Sequence, residues 1–178
     1  MSKRELKKYL ATLTKEQLED QMVALYDKFP PVKVYYNFVF QPNEAMLLRE
    51  AKTKITHEYY PIPRPTAKRK PKSKMRRSVA QKFIKHFKIL GVDAFIIADV
   101  MLYAIEIAQT FASENCVTSE AFYKSLFNSY DQAVTFCVTS GIYQEFSNRI
   151  EGICIETRTQ KWRNASDFEY LLQKITVL

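Results

Sequence analysis

The chain has 178 residues, of which 47% are hydrophobic, 26% are charged and only three are glycine. This composition fits one globular domain, 1–178, able to bury about 70% of its unfolded surface without disulfide or metal support, and it lacks the turn residues an all-β fold needs. The net charge of +8 is unevenly placed: Tyr59 to Val92 holds eleven Lys or Arg and no Asp or Glu, leaving sixteen basic against nineteen acidic residues elsewhere. One segment makes the protein basic, and a basic segment directs attention to acidic partners.

Cys116, Cys137 and Cys154 form an odd, widely spaced set within or beside apolar helical patterns. That reads as small buried thiols in a reducing compartment. The opening MSKRELKKYL has no apolar signal-peptide run, so a cytoplasmic protein is expected and Asn164-Ala165-Ser166 is a chance match to a glycosylation acceptor.

In chain order, Ser2 with Glu5 makes a capping box ahead of Leu6, Tyr9, Leu10 and Leu13. Thr14 with Gln17 repeats the signal, and Leu18, Met22, Leu25, Tyr26 and Phe29 carry a second helix to Pro30-Pro31. The two are expected to form an αα-hairpin. Val32 to Phe40 satisfies both helix and strand patterns; with proline acceptable in a first helical turn and no second strand nearby, a short helix is predicted. Asn43 then caps a helix through about Tyr60.

Pro61-Ile62-Pro63-Arg64-Pro65 ends that helix and opens a basic, proline-rich loop over 61–74. Helix resumes near Met75, with Val79, Ala80, Phe83, Phe87 and Leu90 on one side. Lys74, Arg77, Gln81, Lys85 and Lys88 share a sector of roughly 80° on the other. Gly91 suits the end of this helix and Asp93 the cap of the next.

The stretch from Ala94 to Phe111 is apolar in almost every direction, so neighbours must surround it. It carries Asp99, Glu106 and Gln109 in a run barely long enough to span a bilayer, which favours a buried central helix over a membrane span. Thr118 is the expected cap of a long helix through Phe122, Leu126, Tyr130, Ala133 and Cys137, closed by Gly141. Another helix follows from Tyr143 to Glu156, and Ser166 with Glu169 reads as the capping box of the last. The prediction is an all-α, irregular bundle of about eight helices around 94–111, with no internal repeat.

The search for catalytic motifs finds none. His57-Glu58 lacks a second His four residues on, no Glu-x-x-His occurs, and there is no CxxC, phosphate loop or dinucleotide fingerprint. No metal or cofactor is implied. Asp99, Tyr103, Glu106 and Thr110 line one stripe of the central helix. A solvated edge is the leading reading; paired carboxylates for chemistry, or internal partners such as Arg76, Arg77 or Lys88, are the alternatives. His86 sits at the boundary of its helix as a packed side chain, and Trp162, between Lys161 and Arg163, reads as a core anchor with base stacking as the alternative.

The basic segment is the strongest functional signal. Arg64, Lys68, Arg69, Lys70, Lys72, Lys74, Arg76, Arg77, Lys85 and Lys88 can follow a phosphate backbone along a loop and a helix, with Gln81 the one obvious base reader. The expectation is a non-enzymatic binding module for nucleic acid; the alternative is an interaction or scaffold module using the same loop on an acidic protein surface.

The opening SKRELKKYL, the block YYNFVFQPNE, the run RRSVAQKFIKHFKILGVD and the stretch IEIAQTF resemble a family of uncharacterised single-domain bacterial proteins found chiefly in Bacteroidetes. The resemblance covers nearly the whole length. It implies a compact cytosolic bacterial protein, and because the family has no assigned activity it transfers no catalytic residue.

Overall fold

The computed structural model of the chain describes residues 2–63 and 71–176. Among them the regular elements are nine α-helices: α1 (Lys3–Leu10), α2 (Lys15–Lys28), α3 (Pro30–Phe40), α4 (Glu44–Tyr59), α5 (Arg77–Leu90), α6 (Ala94–Glu114), α7 (Glu120–Thr139), α8 (Tyr143–Thr159) and α9 (Ala165–Thr176). The all-α expectation holds, and so does the helix over the ambiguous 32–40 stretch. They group into two compact units, Met1–Asn43 and Glu44–Leu178.

The first unit contains α1 to α3, and none of their residues is buried. Both capping boxes form: Ser2 and Glu5 bond reciprocally, as do Thr14 and Gln17. Each satisfies amide groups that a helix start leaves without partners. The expected hairpin of α1 with α2 is not the closely packed pair. Instead α2 packs on α3, where Tyr26 donates to Asn37 at 3.0 Å and Tyr36 donates to the Met22 sulfur at 3.0 Å. The reason lies at Phe29, the single non-helical residue between α2 and α3, which turns the chain back at once. α1 is tied to α2 by the Gln21 amide donating to the Tyr9 hydroxyl at 2.9 Å.

The second unit is built around α6. Ile97, Ala98, Val100, Met101, Leu102, Ile105, Ala108 and Phe111 are buried, and α4, α5, α7 and α8 pack around it. Among the described helices α6 alone is long and apolar enough by composition to cross a bilayer; half of that apolar stretch is buried inside the bundle, while Phe95 near its start is exposed. The cap at Asp93 forms as expected, its carboxylate accepting from the Phe95 amide at 2.7 Å. Polar groups inside the core find partners: Gln109 donates to the Ile153 carbonyl at 2.8 Å and Tyr130 to the Ile150 carbonyl at 3.0 Å. Such pairing avoids the cost of an orphaned buried dipole.

Several local expectations shift. Ser119, not Thr118, caps α7, its hydroxyl accepting from the Phe122 amide. Ser166 lies inside α9, which already begins at Ala165, so it caps nothing. Of the three cysteines, Cys137 and Cys154 are buried but Cys116 is exposed, because it falls in the connection before α7 and not on a helix face. Trp162 is the core anchor, 7% exposed, packed edge-on against Tyr123 and Phe168. His86 is half-buried beside Phe87.

Candidate nucleic-acid interface

Where the basic segment leads into α5, Glu58 near the end of α4 holds it. The Lys74 and Met75 amides both donate to the Glu58 carbonyl, at 2.9 and 3.0 Å. Arg76 grips the Glu58 carboxylate with two 2.8 Å hydrogen bonds, and the Ser73 hydroxyl donates to the Tyr59 carbonyl at 2.5 Å. The Arg76 hydrogen bond, with its charge, holds the Glu58 carboxyl below the usual carboxylate range against the opposing pull of burial. Arg76 is therefore an anchor for the segment, and its guanidinium fork is already occupied.

Arg77 is likewise engaged. Its guanidinium donates to Ser129 at 2.6 Å and to Gln132 at 2.9 Å, both on α7, and Gln81 reaches the same Gln132 oxygen at 3.4 Å. The Lys88 ammonium lies 4.8 Å from the centre of the Phe136 ring. The sector assigned to solvent from sequence thus borders α7. Its direction was set by counting Val79 and Phe83 as core, whereas the buried arc is Ala80, Ile84, Phe87 and Leu90. Rotating the arc to those residues places Ser78, Lys82, Lys85 and Ile89 outermost, and all four are exposed.

Lys82 is the cation that sequence reasoning missed, and the i, i+4, i+7 spacing of Ala80, Ile84 and Phe87 was the signal that locates it. Of the expected contact residues, Lys72, Lys74, Arg76, Lys85 and Lys88 are exposed, Arg76 with its guanidinium engaged by Glu58. Arg64, Lys68, Arg69 and Lys70 lie outside the described residues. Among the described residues, Lys72, Lys82, Lys85 and Lys88 take part in no ion pair, while the charge of Lys74 acts on Glu58.

The acidic stripe of α6 is internally paired, with partners other than those expected. Arg149 of α8 donates to both oxygens of Glu106 and, at 2.8 Å, to Asp99. Lys52 of α4 closes the set, 2.7 Å from the second Asp99 oxygen. Burial pulls the Asp99 carboxyl upward, but the hydrogen bonds and charges of Lys52 and Arg149 outweigh it and hold Asp99 below its ordinary value. Arg149 is held above its own by Glu106 first, against burial, with Asp99 adding to the effect. Tyr103 on the same stripe shares a 2.6 Å hydrogen bond with Thr56. These carboxylates bridge three helices, and the solvated-edge reading gives way to the internal one. Among the described residues no group of three or more His, Cys, Asp or Glu is placed to hold a metal ion.

The fold and this surface define an all-α bundle with a cationic flank. The chain matches, over residues 1–176, a family of unknown function, DUF6155, and belongs to it. No curated protein and no solved structure matches it.

Proposed function

We propose that the chain is a cytoplasmic, non-enzymatic module that binds nucleic acid through its basic segment. The observation that carries this reading is the exposed, acid-free face of α5, where Lys82 and Lys85 stand without carboxylate partners among the described residues, beside Lys88 and downstream of Lys72. Lysines of this kind are compact point charges that position a phosphate backbone and release its counterions. They do not read bases. Gln81, the one candidate reader, is turned toward Gln132, so the binding is expected to be insensitive to sequence.

The test is fluorescence anisotropy with labelled duplex DNA, single-stranded DNA and RNA across several salt concentrations. Wild type is compared with a Lys68, Arg69, Lys70 and Lys72 to Ala variant and with a Lys82→Ala, Lys85→Ala variant. On duplex, log K is expected to fall with log salt by about 0.9 per phosphate neutralised, with a shallower slope in each variant. Absence of binding at about 50 mM salt, where electrostatic association is strong, refutes the proposal.

A further inference from the structure

The first unit, Met1–Asn43, has no interior of its own: none of the described residues of its helices is buried, although α2 and α3 are rich in large apolar side chains. On α2 and its end, Leu18, Met22, Leu25 and Phe29 recur at intervals of four, three and four. This is the spacing of a helix seam in a coiled coil or bundle, and it places all four within a sector of roughly 60°. Each of them is nevertheless exposed. Glu16, Asp20 and Asp27 fall on the opposite side of the same helix, so the seam itself is free of charge.

α3 is apolar on nearly every side. Apart from its tyrosines, Lys33 and Asn37 are its polar side chains, and both are turned to Tyr26 of α2: the Tyr26 hydroxyl donates to Asn37 at 3.0 Å, and the Lys33 ammonium lies 5.3 Å from the centre of the Tyr26 ring. The surface that α3 presents away from α2 is therefore apolar, with Val34, Tyr35 and Val39 exposed on it. A helix apolar all round is stable when surrounded, as α6 is by four helices in the second unit. A unit as small as Met1–Asn43 is near the size at which oligomerisation supplies the core that the chain alone does not.

We infer that the α2–α3 hairpin is a self-association surface, through which two copies of the chain join about a two-fold axis into a four-helix bundle. Area, charge and the nature of the polar face select a second copy as the occupant. The four seam residues with Val34, Tyr35 and Val39 are 37–48% exposed, which at about 200 Å² for a large side chain presents roughly 600 Å². Two copies then bury about 1,200 Å², the size from which specific interfaces begin. The unit is also self-complementary in charge, as a two-fold interface requires: α1 carries four cations and one carboxylate, whereas α2 carries four carboxylates and two lysines. A lipid surface is the poorer match, because a membrane-surface helix has a cationic polar face and that of α2 is acidic. The inference rests on no residue of the basic segment.

Sedimentation equilibrium of the full chain is expected to show the 20.9 kDa monomer converting reversibly into a dimer of twice that mass. The midpoint is expected at about 10 µM or below. Leu25→Lys with Val39→Lys, at two exposed positions of this surface, should raise the midpoint at least roughly tenfold by burying unpaired charge. Val23→Lys, also exposed but roughly 130° round α2 from the seam, should leave it unchanged. Hydrogen exchange on the wild type reads the same interface without any variant: α2 and α3 amides should slow as concentration rises through the midpoint. A monomer that persists up to about 200 µM, a double-lysine variant that dimerises like wild type, or α2 and α3 exchange independent of concentration each overturns the inference. So does a monomer that co-sediments with vesicles of phosphatidylcholine and phosphatidylserine, which would assign the surface to lipid. Nucleic-acid anisotropy reads α5 separately, so failure of one proposal is not failure of the other.

Discussion

Arg149 and Glu106 meet in a parallel fork, Nε to Oε1 and Nη2 to Oε2, both at 2.8 Å, with each side chain 34% exposed. The remaining guanidinium nitrogen reaches Asp99, one helical turn and three residues earlier on α6, which Lys52 also holds. One cation from α8 and one from α4 thus lock two acids of the central helix. Bidentate geometry makes such pairs stronger than single surface contacts, and removing Arg149 takes the ion-pair partner from Glu106 and leaves Asp99 with Lys52 alone.

Replacing Arg149 with Met is therefore expected to destabilise the protein by about 1–2 kcal/mol, the lower part of the range for charge-assisted pairs because the site is partly solvated. Urea denaturation measures it. A double-mutant cycle with Glu106→Gln should show coupling of about 0.5–1 kcal/mol or more; additivity within about 0.3 kcal/mol would refute a direct pairing.

The same pairs set the acid limit of stability. Asp99 and Glu58 are both held below their ordinary values of 3.8 and 4.5 in the folded chain. Below those values the unfolded state takes up protons that the folded state resists, so the stabilisation is present above about pH 4.5 and fades as pH falls through the folded values. Urea midpoints between neutral and strongly acid pH should drop accordingly, and Asp99→Asn should flatten part of that slope. An unchanged slope in Asp99→Asn would show that the carboxylate gains nothing from Lys52 and Arg149.

Much of the fold was legible because apolar spacing and capping chemistry are local. Ser2, Thr14 and Asp93 cap where expected, and Leu126, Tyr130, Ala133 and Cys137 are buried as their spacing required. The partners of Asp99 were not legible, because Arg149 lies 50 residues away and nothing in local patterning links the two. Helix rotation was the other blind spot. Phe83 and Val79 are apolar yet only half-buried, and counting them as core turned the cationic face of α5 toward Arg77 and away from Lys82.

The cysteines give a direct test of the packing around α7 and α8. Cys116 is exposed, whereas Cys137 and Cys154 are buried, and burial pushes the Cys137 thiol up to about 11 and raises that of Cys154. A buried thiol held in its neutral form is a poor nucleophile. A thiol-reactive chromogen at neutral pH should therefore modify one cysteine rapidly in the native protein and all three after denaturation. Rapid modification of two or three in the native state would contradict the packing of the core.

Two glycines should respond to alanine with opposite sign. Gly91 ends α5 at φ +75°, the left-handed region where an L side chain is strained, and Gly152 lies within α8. Neither has an atom within 4 Å of where a Cβ would sit, so steric clash contributes to neither change. Gly91→Ala is then expected to cost about 1 kcal/mol through the backbone alone. Gly152→Ala should stabilise by about 0.5–1 kcal/mol, because alanine has less freedom to lose when the helix forms and α8 already has helical geometry there. Thermal melts of the two variants against wild type decide the matter: midpoints moving in opposite directions confirm both assignments, and a stabilising Gly91→Ala would mean the turn into Asp93 is not left-handed.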